Sequence, residues 1–147
     1  MDFVMHPKID LGILAASEPK YATYLASGFD LLSPVKTVVK SGERKLIETG
    51  IHVAVPVGYE LQIRSKSGLA LKNGIVVLNS PGTIDADFRG KIGVILMNHS
   101  KEDFYISEGM KIAQGVLCPV VQARFVLCED LDDTARGSGG FGSTGVF

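Results

Sequence analysis

Residues 46–65 read LIETGIHVAVPVGYELQIRS, and this stretch decides the fold. Two runs, LIETGIHVAV and YELQIRS, are rich in Val, Ile and Leu and are separated by the turn-forming residues PVG. Short runs of this composition, bounded by Gly, Pro, Asn or Ser, are typical of β-strands, because branched side chains pack well on a pleated surface. The stretch therefore predicts strands separated by a tight turn.

The same pattern continues on both sides of this stretch. Further predicted strands are KTVV (36–39), GIVVLNS (74–80), KIGVILMN (91–98), FYIS (104–107) and VLCPVVQARFVLCE (116–129). Helical periodicity is absent, apart from one short turn near GLALKNG (68–74). Many short strands with frequent turns indicate an all-β fold, a jelly-roll-like β-barrel or sandwich with little helix.

The chain of 147 residues fits one domain, and its 46% of hydrophobic residues suffices for a core. We expect an irregular lead-in over residues 1–25. The core-forming pattern fades near residue 132, so we predict a β-rich core over residues 1–133 and a flexible, Gly-rich C-terminal arm over residues 134–147.

Charge and targeting signals exclude several classes of function. The net charge is -1 with acids and bases mixed, so nucleic-acid binding by charge alone is not expected. No apolar run reaches membrane-spanning length, and MDFVMHPKID lacks the apolar region of a signal peptide. We therefore expect a soluble, cytoplasmic protein. Cys118 and Cys128 are interpreted as buried free thiols in a reducing compartment.

The tail sequence GSGGFG (137–142) matches the pattern G-x-G-x-x-G. A dinucleotide site needs a strand before the pattern and a helix after it, and the surrounding sequence supplies neither. Glycine N–H groups, two hydroxyls and the guanidinium of Arg136 can nevertheless bind an anion, and Phe141 can stack on a flat ring. The tail is either an anion-binding lid or an expendable flexible end.

Carboxylates stand out in PGTIDADFRGKIGV (81–94). Asp85 and Asp87 are two residues apart, and on a strand they would share a face. Either they form a β-turn, or one of them is a general base or a ligand of a metal-bound water. In IRSKSG (63–68), the cationic residues Arg64 and Lys66 flank Ser65, and a Ser-Gly pair follows. This arrangement is a weak indication of a phosphate site, and a solvated strand end would have the same composition.

Together these stretches resemble the five motifs of the trimeric dUTP pyrophosphatases (dUTPases). In order, the motifs are ASGFDLLS (26–33), RSKSGLA (64–70), GTIDADFRG (82–90), KIAQ (111–114) and RGSGGFGSTG (136–145). The likeness spans residues 26–145, and the fifth motif is close to diagnostic.

The resemblance implies a jelly-roll subunit in a homotrimer, with active sites between subunits that the C-terminal arm closes. It implies hydrolysis of dUTP to dUMP and pyrophosphate, by a water that attacks the α-phosphate while Mg2+ is held mainly by the triphosphate. Such an activity limits uracil in DNA and supplies dUMP for dTMP synthesis.

The resemblance also assigns roles residue by residue. Asp85 and Arg136 are the implied catalytic residues, with Asp85 deprotonating the attacking water and Arg136 contacting the γ-phosphate. Asp30 is implied to reach the water shell of the metal. The implied substrate-binding residues, besides Asp85 and Arg136, are Arg64, Lys66, Ser67, Gly68, Asn79, Gly82, Thr83, Ile84, Phe88, Lys91, Gln114, Gly140, Phe141, Gly142, Ser143 and Thr144.

Within that set, Ser67 and Gln114 would contact phosphates, Asn79 would read the uracil edge, and Phe141 would stack on the uracil. Phe88 stands where the family usually has Tyr and would pack against the deoxyribose. Lys66 and Lys111 stand where Arg is common, which keeps the charge but loses the bidentate fork.

Two other classes fit the same scaffold. A dCTP deaminase would have a different base and no such tail, and ammonia release from dCTP would identify it. A non-enzymatic nucleotide sensor would not release pyrophosphate, and the presence of Asp85 argues against it.

Overall fold

The structure is a computed structural model that describes residues 6–147. Residues 1–5, the start of the predicted lead-in, lie outside the described residues. The elements, in chain order, are β1 (Gly12–Leu14), β2 (Phe29–Leu32), β3 (Thr37–Val39), β4 (Arg44–Glu48), β5 (His52–Ala54), β6 (Tyr59–Arg64), α1 (Ser67–Asn73), β7 (Ile75–Val77), β8 (Gly82–Ile84), β9 (Gly93–Asn98), β10 (Phe104–Ile106) and β11 (Lys111–Pro119).

All paired strands are antiparallel, and they form four small sheets. The larger two have the strand orders β2-β11-β6-β8 and β4-β9-β7, while β1 pairs with β5 and β3 pairs with β10. Within the described residues no sheet closes on itself. The predicted all-β, jelly-roll-like fold is therefore confirmed in its sandwich form, with one short helix.

The core lies between the two larger sheets. Leu61 and Ile63 on β6 face Val94 and Leu96 on β9 within one cluster of buried side chains. Buried and less buried residues alternate along both strands, as expected for a pleated strand with one face in the core. The opposite face of the four-stranded sheet is polar and carries several predicted site residues.

The predicted helical turn is present as α1. It ends at Gly74, whose φ of 65° lies in the left-handed region and whose N–H donates to the carbonyl of Ala70 at 3.2 Å. A glycine tolerates this conformation without steric cost, so KNG is a good stop signal. The structure has no helix in residues 6–147 that is long and apolar enough to cross a bilayer.

Three expectations differ from the structure. The lead-in contains a strand, β1, which pairs with β5. The strand predicted over residues 116–129 stops at Pro119, because the residues beyond it find no sheet partner among residues 6–147. The thiols are not both buried: Cys118 is half-buried and Cys128 is exposed. The boundary at residue 133 stays a prediction.

Residues 121–147 are the least integrated part of the chain. Val120 donates its N–H to the carbonyl of Gly58 at 2.9 Å, and beyond it no hydrogen bond or ion pair joins residues 121–147 to residues 6–120. Val121, Phe125 and Leu127 are almost fully exposed. Large apolar side chains in that state are typical of a surface that a partner covers.

Candidate active site

Three of the motif segments meet on neighbouring strands. Gln114 on β11 lies opposite Asp30 on β2 on one side and opposite Arg64 on β6 on the other. The antiparallel register thus places the first, second and fourth motifs side by side, and we call Asp30, Gln114 and Arg64 the polar row. Segments far apart in sequence form one continuous polar surface at this point.

A β-bulge changes the direction of Lys111. Between Lys111 and Ala113 the register with β2 shifts by one residue, and Ile112 and Ala113 are both buried. A bulge interrupts the alternation of faces and re-aims a side chain. As a result Lys111 shares the outer face with Gln114, and its ammonium lies 2.7 Å from Oδ2 of Asp30.

Asp30 binds a second ammonium as well. Nζ of Lys66 lies 2.5 Å from Oδ1 of Asp30, whose side chain is only 11% exposed. Burial alone would raise the pKa of Asp30, but the hydrogen bonds and positive charges of Lys111 and Lys66 outweigh it and hold that pKa below its ordinary value. Asp30 is therefore a carboxylate, clamped between two cations.

Gln114 is fixed from two directions. Its Nε2 donates to the carbonyl of Ser65 at 3.0 Å, and its Oε1 lies against Gly28, where a Cβ atom would collide with it. Ser65 in turn accepts a hydrogen bond from the N–H of Val77 at 2.8 Å. Gly28, which the sequence interpretation did not single out, thus makes room for the side chain of Gln114.

The polar row borders an open groove of about 430 Å³. It is lined by Gln62, Arg64, Ser65, Ser80, Pro81 and Gln114. Arg64 donates from Nε and Nη2 to Oε1 of Gln62, at 3.0 and 2.7 Å, and its Nη2 lies 3.6 Å from Sγ of Cys118. Ser67 and Gly68 are exposed in the first turn of α1, directly after Lys66.

The residues predicted to read the base and sugar lie around β8. Gly82 is buried, and its missing side chain leaves room for the amide of Asn79, whose Nδ2 would be 3.3 Å from a Cβ atom there. Thr83 pairs with Gln62, and Ile84 pairs with Leu61. Of these residues, Thr83 shares the outer face of the sheet with Gln62, whereas Gly82 and Ile84 pair with the core residues Ile63 and Leu61.

Asp85 follows the last residue of β8 and opens a turn, in which the N–H of Phe88 donates to its carbonyl at 3.2 Å. Asp85 and Asp87 therefore do not share a strand face, which corrects the prediction, because the strand ends before Asp85. Within residues 6–147 no hydrogen bond reaches the exposed carboxylate of Asp85.

Phe88 folds its ring over Gly90. A Cβ atom at Gly90 would lie 2.6 Å from Cζ of Phe88, so the glycine allows the ring to lie flat on its own loop. Nη1 of Arg89 donates to the carbonyls of Ala86 and Phe88, at 2.7 and 2.9 Å, and closes the turn. Lys91 instead pairs with Glu48 at 3.6 Å beside a different cavity, so the structure does not bring it to the groove.

The tail residues form local turns, and within residues 6–147 no hydrogen bond joins them to the other predicted site residues. Nε of Arg136 donates to the carbonyl of Gly139 at 2.8 Å, and the N–H of Ser143 donates to the carbonyl of Gly140 at 3.2 Å. Phe141 is fully exposed and has a φ of 49°. Gly142 has a φ of 93°, and Thr144 is exposed.

Comparison with known proteins identifies the family. The dUTPase family model matches residues 15–145. A deoxyuridine 5'-triphosphate nucleotidohydrolase of Nautilia profundicola is 58% identical over 86% of this chain and 89% of its own length. One from Crocosphaera subtropica is 55% identical over 87% of this chain and 90% of its own length.

Solved structures agree with these relatives. A variant of the dUTPase of Staphylococcus bacteriophage 80alpha with dUpNHpp superimposes with a TM-score of 0.84 at 26% identity, covering 95% of this chain and 100% of the phage chain. The fold and the motifs together define a nucleotide hydrolase. The chain belongs to the dUTPase family, as its five motifs indicated.

The described residues do not fit a metal ion held by the protein alone. Residues 6–147 contain no group of three His, Cys, Asp or Glu side chains that could hold one. Both carboxylate oxygens of Asp30 already face lysine ammoniums. The predicted contact of Asp30 with the metal's water shell stays a prediction, and the chemistry of its surroundings does not favour it.

Proposed function

We propose that this chain hydrolyses dUTP to dUMP and pyrophosphate, by attack of a water that Asp85 deprotonates at the α-phosphate. The observation that carries the proposal is the 58% identity, over 86% of the chain, to a deoxyuridine 5'-triphosphate nucleotidohydrolase. Asp85 supports the mechanism, because its carboxylate is exposed, receives no hydrogen bond within residues 6–147 and directly follows β8, the strand that pairs with β6. A positioned general base contributes about 10²–10⁴-fold to a rate.

We further propose that the working enzyme is a homotrimer with each site between subunits. The register of β8 with β6 would place Asp85 opposite Glu60, whereas Arg64 lies at the other end of β6. At about 3.3 Å per residue, this separates Asp85 from Arg64 by about 13 Å along the strand. One α-phosphate cannot contact both ends, so we infer that Asp85 meets the Ser67 region of another subunit.

The segment 121–147 supports the same assembly. Its apolar side chains are exposed and it makes no hydrogen bond to residues 6–120. We propose that it crosses to a neighbouring subunit and brings Arg136, Phe141, Ser143 and Thr144 over the substrate there. The glycines let the backbone wrap the phosphates, and closure excludes bulk water from the reaction.

Within this arrangement the substrate's phosphates lie along Ser67, Lys66 and Gln114, and the base and sugar lie against Asn79 and Phe88. Mg2+ is proposed to enter bound to the triphosphate, as described residues offer no cluster for it. A cytoplasmic location stays a prediction.

The test is a pyrophosphate-release assay on dUTP, dATP, dCTP, dGTP and dTTP, with mass determination of the assembly by light scattering. We expect release from dUTP far above the other four and a mass of three chains. Ammonia release from dCTP would identify a deaminase, and nucleotide binding without pyrophosphate release would identify a sensor. A fully active monomer would contradict the shared site.

A further inference from the structure

The cluster formed by Asp30, Lys66 and Lys111 has an unusual balance of charge for a metal site. Lys66 occupies one carboxylate oxygen at 2.5 Å and Lys111 occupies the other at 2.7 Å. Two ammoniums and one carboxylate carry a formal net charge of +1. A dication approaching Asp30 would meet two positive charges within contact distance, whereas an anion would be attracted.

The ammoniums also retain free donors. Each –NH₃⁺ group has three N–H donors and no acceptor, and one contact with Asp30 leaves two for other oxygens. The side chain of Lys111 is 55% exposed and that of Lys66 is 29% exposed, while Asp30 is only 11% exposed. The carboxylate therefore lies beneath the two cations, which present their remaining donors outward.

The backbone places Lys111 in this position. Without the register shift between Lys111 and Ala113, strand alternation would turn residue 111 toward the core and Ile112 outward. The bulge buries Ile112 and Ala113 together and brings Lys111 to the outer face of the sheet. Lys111 thereby lies on the same strand and the same face as Gln114, and it contacts Asp30, which also binds Lys66.

We propose that Lys111, held together with Lys66 on Asp30, binds the polyphosphate chain of the substrate, and that Asp30 is a positioning residue and not a metal residue. The inference rests on the proposed function, because it assigns a further residue to the same site. Asp30 keeps two flexible side chains in one place before the ligand arrives, which lowers the entropy lost on binding.

Inorganic tripolyphosphate is the probe, titrated calorimetrically into the intact assembly in EDTA, so that neither metal nor turnover affects the result. Lys111→Gln should weaken its binding by about ten-fold, the effect of losing one charge-assisted hydrogen bond. Lys111→Arg should bind within about two-fold of the parent, because the charge is kept. Lys101→Gln removes the same charge from an exposed loop and should bind like the parent.

A second measurement addresses Asp30 through the ¹⁵N signals of the lysine side chains. Ammonium signals of Lys66 and Lys111 should be protected from exchange in the parent, lost in Asp30→Asn, and unmoved by Mg2+ alone. Binding by Lys111→Gln equal to the parent, or displacement of both signals by Mg2+ alone, would overturn the inference. Hydrolysis of dUTP by the parent protein is measured separately. Its absence would contradict the proposed function, whereas the tripolyphosphate titration tests the inference on Lys111.

Discussion

Asp85 and Ser67 lie beyond opposite ends of β6. Asp85 follows β8, whose last residue Ile84 pairs with Leu61 near the start of β6, whereas Ser67 follows the end of that strand at Arg64. The proposed base for the attacking water and the proposed phosphate contact are thus far apart within one subunit. In the proposed trimer, two subunits bring them together and a third supplies the tail.

Removal of the tail should separate folding from catalysis. Truncation after Ala135 deletes Arg136 and Phe141, which make no hydrogen bond to residues 6–120. We expect an unchanged number of chains in the assembly and an unchanged melting temperature, with turnover lower by at least about 10²-fold because the proposed lid and its cation are gone. Removing only Val146 and Phe147 is the matched control. Full turnover after the longer truncation would disprove the lid.

Substitution of Gly90 should act through Phe88. Gly90→Ala places a Cβ atom 2.6 Å from the ring of Phe88, so the ring must move from its loop. We expect KM for dUTP to rise several-fold and discrimination against UTP to fall, because the ring is proposed to fill the space of a 2′-hydroxyl. The melting temperature should change little, since the loop is exposed. Unaltered discrimination would mean that Phe88 does not face the sugar.

Low pH should weaken the ion pairs that Asp30 forms with Lys66 and Lys111. The pKa of Asp30 in the folded protein is held below its ordinary value of 3.8. The ion pairs therefore contribute their full stabilisation when the pH is above 3.8, and that stabilisation is lost as the pH falls through the lowered pKa. Between pH 5 and pH 2 the parent should therefore lose more melting temperature than Asp30→Asn, which cannot titrate. Parallel curves for the two proteins, measured by circular dichroism, would show that the ion pairs do not stabilise the fold.

Much of this molecule follows from its sequence, for identifiable reasons. Runs such as GVILMN in β9 predict strands because they are short, rich in branched apolar residues and bounded by turn-forming residues. The motifs are recognisable because each is a short stretch of characteristic residues, and three of them lie side by side in the four-stranded sheet. The bulge at Lys111 was not predicted, because its cause lies in the pairing of β11 with β2. From the sequence, Lys111 was identified only as a lysine at a position where the family commonly has Arg. Its ion pair with Asp30 was not predicted.

At the end of β11 the sequence instead predicts a longer strand than the structure contains. Residues 120–129 have the composition of a strand, yet a strand needs a partner, and the described part of the chain, residues 6–147, offers none. Asp85 and Asp87 were placed on one strand face from their spacing, but the turn after Ile84 takes precedence over that periodicity. The local sequence pattern predicts which residues can form strands. Pairing between distant segments decides where a strand ends and which face each side chain occupies.

The proposed role of Asp85 as the base for the attacking water is tested by the substitution Asp85→Asn. The amide keeps the size and turn-forming shape of the carboxylate but cannot accept the proton. Steady-state pyrophosphate release from dUTP should fall by about 10²–10⁴-fold, while binding of a non-hydrolysable dUTP analogue survives. Asp87→Asn, in the same exposed turn, is the matched control and should stay near the parent rate. Near-parent turnover in Asp85→Asn, with nucleotide binding intact, would contradict the account.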